Sequence, residues 1–262
     1  MIPGVVAWRL YVQYVDSSLQ MIYRKDHKAK ASSVSGILFD KDGTLFEFDA
    51  VWSVWCDRVL SSLSDGDNGL ALELATVIGY DLHRKSFKPG SLIVSGAADD
   101  TVKALSEILP GIELEEINQV CTKSLDNLPL APVNNLVNVL DSLKIGGYKL
   151  GVATNDTEQS ALSQLSDSKV DHLFDFICGF DSGFGSKPQP GMLEAFCTAT
   201  ELAPSEIAMV GDSLHDINAG IAHGAQLTIG VLTGPASRSE LECCADIVIE
   251  DISMLPALFA GI

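Results

Sequence analysis

The chain has 262 residues, with 17 Lys plus Arg against 35 Asp plus Glu, a net charge of −18 at pH 7, and 47% of its residues are hydrophobic. That much apolar material excludes intrinsic disorder and suffices for one domain with a large insertion or for two small domains. The acidity argues against a nucleic-acid partner and against an anionic membrane surface, because both require clustered Lys and Arg.

Residues 1–33 read as an N-terminal extension. Residues 4–15 are apolar, but Arg9 interrupts them, the run is too short to cross a bilayer and no basic segment precedes it. Residues 1–20 are expected to be either an upstream extension or an element added to the domain. A buried strand is expected over 34–39, stopping at Asp40. Beyond it come amphipathic segments at 51–63, 70–80, 101–109 and 113–125, then a helix over 134–144 with Leu136, Val137, Leu140 and Leu143 at helical spacing. Strands at 148–153, 174–178, 207–210, 226–231 and 247–249 then alternate with helices at 157–165, 190–200 and 216–223. This alternation predicts an α/β fold, a doubly wound parallel sheet of Rossmann type with helices on both faces. Between Thr44 and Asn134 lie 89 residues, far more than one crossover needs. The excess predicts an inserted helical cap at 46–133 on a core made of 34–45 and 134–262.

Polar signatures stand at the carboxyl ends of the strands, where ligands bind in an open α/β sheet. Asp40-Lys41-Asp42-Gly43-Thr44 follows the first strand. Two carboxylates so close after a buried strand repel by about 4 kcal/mol at ~4 Å and an effective dielectric of ~20, unless a cation or proton intervenes. Gly211-Asp212-Ser213-Leu214-His215-Asp216 is a second acidic signature at a strand end, and either aspartate could equally cap a helix. Four converging carboxylates would suit Mg²⁺. Thr154-Asn155-Asp156 offers a hydroxyl, an amide and backbone N–H groups at a helix start, which suits an anion or an ordinary cap. Lys187 sits between glycines and prolines in residues 183–191, a loop that presents a single ammonium. The six cysteines, Cys56, Cys121, Cys178, Cys197, Cys243 and Cys244, form no C-x-x-C pair and read as thiols in a reducing, cytoplasmic setting.

Taken together and in this order, D-x-D-G-T, T-N, K-P and G-D-S-x-x-D resemble the haloacid dehalogenase superfamily of hydrolases over residues 34–260. The insertion resembles the helical cap of the subgroup that contains phosphoglycolate phosphatases. The resemblance implies that Asp40 is a nucleophile forming an aspartyl-phosphate and that Asp42 is the general acid–base. It implies Mg²⁺ held by Asp40, Asp212, Asp216 through a water, and the backbone carbonyl of Asp42. Thr154 and Asn155 would bind phosphoryl oxygens, and Lys187 would neutralise charge shared by Asp40 and the transferring group. An acid at Asp42 sets the chain apart from the dehalogenase and phosphonate-cleaving branches, which lack it, and leaves phosphomutases open. The expected activity is therefore Mg²⁺-dependent hydrolysis of a small phosphorylated metabolite, phosphoglycolate first, by a monomer or homodimer. A sugar-phosphate mutase and a catalytically silent ligand-binding member are the alternatives.

Within the cap, Phe46, Phe48, Trp52 and Trp55 are expected to pack the hinge or, failing that, to line a substrate pocket. Arg84, Lys85 and Lys88 lie in the one basic run of an acidic insertion. They could meet a substrate carboxylate or simply form a solvated loop. His215 is read as structural.

Overall fold

The computed structural model describes residues 25–260 apart from 89, 96, 97 and 127. The expectation for residues 1–20 lies outside the described residues. Residues 25–33 are built into the fold: helix α1 (Lys25–Ala31) precedes the sheet, Ala31 and Val34 join the main core, and the Lys30 ammonium pairs with Asp246 at 2.5 Å.

Strand β1 (Gly36–Phe39) leads into the insertion, which consists of α2 (Phe48–Ser64), α3 (Asn68–Val77), β2 (Tyr80–Asp81), β3 (Ser86–Phe87), α4 (Leu92–Ser95), α5 (Ala98–Ile108) and α6 (Leu114–Lys123). The chain returns through α7 (Leu136–Ile145) to β4 (Lys149–Ala153). It continues through α8 (Glu158–Asp167), β5 (Phe176–Cys178), α9 (Gly191–Thr200), β6 (Ile207–Gly211), α10 (Leu214–His223) and β7 (Leu227–Val231). Helix α11 (Arg238–Glu242), β8 (Ile247–Ile249) and α12 (Leu255–Phe259) complete it. The six-stranded sheet has the order β5-β4-β1-β6-β7-β8, with every pairing parallel.

Alternation along the strands builds two apolar layers. Ile37 and Phe39 point to the face covered by Leu136, Val139, Leu140 and Leu143 of α7, whereas Leu38 points to the face covered by Met192, Leu193 and Phe196 of α9. Gly151 of β4 gives the Phe196 ring its seat: a Cβ there would stand 2.7 Å from that ring. Strands buried on both faces read as continuous apolar runs in the sequence, which is why they were visible as such.

The insertion has a hydrophobic core of its own. Trp55, Val59, Leu60 and Leu63 of α2 pack with Leu74 of α3, Leu105 of α5 and Ile117 of α6, together with Ile78 and Tyr80. Two crossing chain segments join it to the sheet. The Glu47 N–H donates to the Ala131 carbonyl at 2.8 Å, and the Val133 N–H donates to the Leu45 carbonyl at 3.0 Å. Phe46 and Val133, at the two ends of the insertion, both sit in the core beneath the sheet edge. The amphipathic segment expected over 70–80 is helical only to Val77; Gly79 takes φ +75, and Tyr80 starts an antiparallel hairpin with β3.

Candidate active site

The three central strands, β4, β1 and β6, end side by side, and each carries a polar signature just past its last residue. Phe39 pairs with Val152 on one side and Val210 on the other, so Asp40, Thr154 and Asp212 leave the sheet at neighbouring points. Parallel strands put all their carboxyl ends on one edge, and here that edge gathers the charged groups.

Asp40, Asp212 and Asp216 are all buried, and one oxygen from each lies within 4.8 Å of the others. Lys187, only 3% exposed, reaches in from the loop after β5 and donates to Asp40 Oδ1 at 2.5 Å and to Asp216 Oδ1 at 2.6 Å. The other Asp216 oxygen accepts from the Ser213 N–H at 3.0 Å and hydroxyl at 2.7 Å, which ties α10 to the cluster. Asp212 is wedged between two glycines. A Cβ on Gly43 or on Gly234 would collide with its carboxylate, and Gly43 also takes φ +84 in the turn after Asp42.

Three buried carboxylates thus face a single ammonium. Burial pushes Asp40 up to about 7 against the pull of Lys187, with Asp216 and Asp42 adding to the rise. Burial, then the charges of Asp40 and Asp216, push Asp212 well above the ordinary carboxylate range. The donor set is all hard oxygen, compact and short of positive charge, and these properties fit a small divalent cation such as Mg²⁺.

Asp42 has a different setting. One of its oxygens is held by the Lys41 ammonium at 2.7 Å, while its Oδ1 is buried and has no hydrogen-bond partner among the described residues. Burial raises its pKa, with Lys41 opposing. Lys41 is 0% exposed, and its ammonium also reaches Asp156 Oδ2 at 3.1 Å and Gln164 Oε1 at 3.0 Å. Burial works to lower the Lys41 pKa, but Asp42 and Asp156 outweigh it and the net direction is upward. Reading the sequence passed over Lys41, because its two partners outside the first motif, Asp156 and Gln164, lie more than a hundred residues away.

Thr154 is buried, and its hydroxyl accepts from the Asp156 N–H at 3.1 Å. The Asn155 side chain is engaged with the Lys187 backbone: its amide donates to the Lys187 carbonyl at 3.0 Å, and its oxygen accepts from the Lys187 N–H at 2.9 Å. Asn155 thereby fixes the loop that presents Lys187. His215 is half-buried, with Nδ1 unpartnered among the described residues.

In the insertion, the expected aromatic group divides. Phe46 belongs to the main core, whereas Phe48 stacks near Trp52 and meets Phe87 edge-on at 5.1 Å, and Trp55 donates to the Cys121 carbonyl at 3.0 Å. The basic run lies on the β2–β3 hairpin. Lys85 pairs with Asp57 of α2 at 2.5 Å, while Arg84 and Lys88 are exposed. Asp57 is nine residues beyond Phe48, so Lys85 is held about 13 Å along the helix from its hinge end.

The family model for haloacid dehalogenase-like hydrolases matches residues 37–230, which takes in all four signatures at this edge. The chain belongs to this family. Pyrophosphatase PpaX of Bacillus cereus (strain ATCC 10987 / NRS 248) is 33% identical over 227 residues, 86% of this chain and 96% of that protein. The match to PpaX of Bacillus mycoides is shorter and covers 56% of that protein at 34% identity and 45% of this chain. Phosphoglycolate phosphatase of Haemophilus influenzae is 30% identical over 148 residues, 55% of this chain and 65% of that protein. A solved structure from Thermotoga maritima, assigned as a beta-phosphoglucomutase, superposes with a TM-score of 0.66 at 18% identity, covering 87% of this chain and all of that one, and carries the fold alone. Cleavage of a phosphoryl group is what the curated relatives' names have in common, and the chain is a hydrolase of that family.

Proposed function

We propose that the protein is a Mg²⁺-dependent phosphatase that hydrolyses a small phosphorylated metabolite through an aspartyl-phosphate on Asp40. The observation that carries this reading is the pairing of two aspartates in unlike settings. Asp40 lies in the acidic cluster against Lys187, and Asp42 lies beside it with one buried oxygen that has no partner among the described residues.

The roles follow from those settings. An Asp40 oxygen attacks phosphorus and the ester P–O bond breaks opposite it. The leaving alkoxide takes its proton from Asp42, whose burial favours the protonated form. Asp42, now a carboxylate, removes a proton from the incoming water, which attacks the acyl phosphate, releases phosphate and restores Asp40. Lys187 offsets the charge on Asp40 and on the transferring group, and Thr154 with the backbone N–H groups after β4 receives phosphoryl oxygens. Asp40, Asp212, Asp216 and the Asp42 carbonyl would hold the cation, which when bound supplies positive charge to the acidic cluster and polarises the phosphoryl group. Residues 46–133 act as the cap over this edge. Arg84 and Lys88 are the basic run's available counter-charges for a substrate carboxylate, since Lys85 is committed to Asp57.

The names of two relatives, a pyrophosphatase and a phosphoglycolate phosphatase, support a small phospho-acid or pyrophosphate as the substrate. The test is release of inorganic phosphate from a panel comprising phosphoglycolate, pyrophosphate, hexose phosphates, nucleotides and an aryl phosphate, with Mg²⁺ and with excess chelator. The reading expects turnover of at least one small phosphate compound and its abolition by chelator. Isomerisation of a hexose phosphate without phosphate release, or no turnover of any member, would overturn it.

A further inference from the structure

Lys41 stands between the two aspartates, and the role inferred for it rests on the reading of Asp42 as general acid–base. A fully buried ammonium is costly unless all its donors are met. Here its three N–H donors have three acceptors: Asp42 Oδ2 at 2.7 Å, Asp156 Oδ2 at 3.1 Å and Gln164 Oε1 at 3.0 Å. The far partners are themselves fixed. Asp156 Oδ1 accepts from the Thr157 N–H at 2.7 Å at the start of α8, and Gln164 lies two turns further along the same helix. The Lys41 backbone is fixed as well, since its carbonyl accepts from the N–H groups of Leu45 at 2.9 Å and Phe46 at 3.1 Å.

We propose that Lys41, with Asp156 and Gln164, is a positioning clamp that holds one oxygen of Asp42 so that its other oxygen is left facing the reacting groups. A carboxylate free to rotate would share both oxygens between partners. This one has Oδ2 tied to the buried Lys41 ammonium and Oδ1 without a partner among the described residues. The clamp also joins the loop after β1 to the helix after β4, so the acid and the phosphate-binding turn are set relative to each other by one side chain. Misplacement of a catalytic group by about 1 Å costs on the order of 100-fold in rate, and this is the scale of effect the clamp should control.

The experiment is steady-state kinetics of the full chain with Mg²⁺ on two substrates. One is an alkyl phosphate found active in the panel, whose leaving group needs a proton. The other is p-nitrophenyl phosphate, whose leaving group needs one much less. Wild type is compared with Lys41→Met, with Lys41→Met/Asp156→Asn, which removes the clamp with its charges balanced, and with Gln164→Leu, a milder change at one arm. Asp42→Asn and Lys41→Met/Asp42→Asn complete a double-mutant cycle. For Lys41→Met we expect kcat on the alkyl phosphate to fall ~10–100-fold with KM nearly unchanged, and a much smaller fall on the aryl phosphate. Both charge-balanced and single variants should share this pattern. The Lys41 effect should vanish when Asp42 is already Asn. Equal loss on both substrates, full additivity in the cycle, or unchanged or faster turnover would overturn the clamp. If Lys41→Met does not fold, the Gln164→Leu and charge-balanced variants read out the same contrast. Failure of the underlying reading is separate: Asp42→Asn itself would then lack the leaving-group contrast.

Discussion

Each of the two aspartates after β1 has its own predicted signature. Asp40→Asn removes the attacking oxygen and is expected to abolish turnover while leaving the fold intact, as read by circular dichroism. Asp42→Asn should slow turnover ~10²–10⁴-fold, with an aryl phosphate hit less than an alkyl one in burst-phase kinetics. Asp212 supplies a third test. Its carboxylate occupies the space a side chain on Gly234 would need. Gly234→Ala must therefore displace it, and the expected outcome is a large fall in activity with weakened Mg²⁺ dependence in a titration, and little change in α-helix content. At this scale the sequence made Asp40, Asp42, Asp212 and Lys187 legible, because each stands at a strand end or in a punctuated loop. It did not make Lys41 legible. A lysine flanked by aspartates reads as a solvated ion pair, and only the fold brings Asp156 and Gln164 to its ammonium. Nor did it reveal that the Asn155 side chain is spent on the Lys187 backbone, since a T-N pair after a strand gives no hint of which group the amide will meet.

Among the elements, the sheet strands were visible because they are short apolar runs that end abruptly in Asp, Thr or Gly, and the helices because their apolar residues recur at helical spacing. The β2–β3 hairpin was hidden. Its strands are two residues each, too short to show alternation, and the preceding helix hid the change at Gly79. The hairpin changes what is expected of the basic run. Because Lys85 is paired with Asp57, replacing it alone with Ala should leave KM for any substrate within about twofold, as exposed ion pairs contribute little. Replacing Arg84, Lys85 and Lys88 together should raise KM for a phospho-acid while sparing an uncharged aryl phosphate ester, if Arg84 and Lys88 meet the substrate carboxylate. Equal KM values for the triple variant and wild type on both substrates would assign the hairpin a structural role and move specificity to other cap residues, of which Trp52, with its indole N–H unpartnered among the described residues, is the first to examine.

The whole molecule carries a charge of −18, and its catalytic edge concentrates part of that charge in a buried cluster with one ammonium. This has a consequence for stability. Asp40 in the metal-free fold is pushed up to about 7 and Asp212 is raised as well, so the folded state holds protons that the unfolded chain, with ordinary carboxylates, has released. The contribution of these groups is fully present below the ordinary carboxylate pKa and is lost as pH rises toward 7. Melting temperature in chelator should accordingly fall between about pH 4 and pH 7 on this account, and Mg²⁺ should recover more stability at pH 7.5 than at pH 5. A chelator-insensitive melting temperature at both values would remove the cluster from the metal assignment. Among the described residues no helix is long and apolar enough to cross a membrane, and the described cysteines are all free, four of them buried and Cys243 and Cys244 exposed.

The central claim is that phosphate passes through Asp40, and acid-quenched enzyme tests it most directly. The protein with Mg²⁺ is mixed with a turned-over substrate, quenched in acid within milliseconds, digested and mapped by mass spectrometry. The account predicts one phosphate on Asp40 in wild type, more of it in Asp42→Asn when the substrate is an aryl phosphate, whose leaving group needs little protonation while the water-activating base is missing, and none in Asp40→Asn. Phosphate release with no phosphorylated peptide in either protein, or label on a residue other than Asp40, would contradict it.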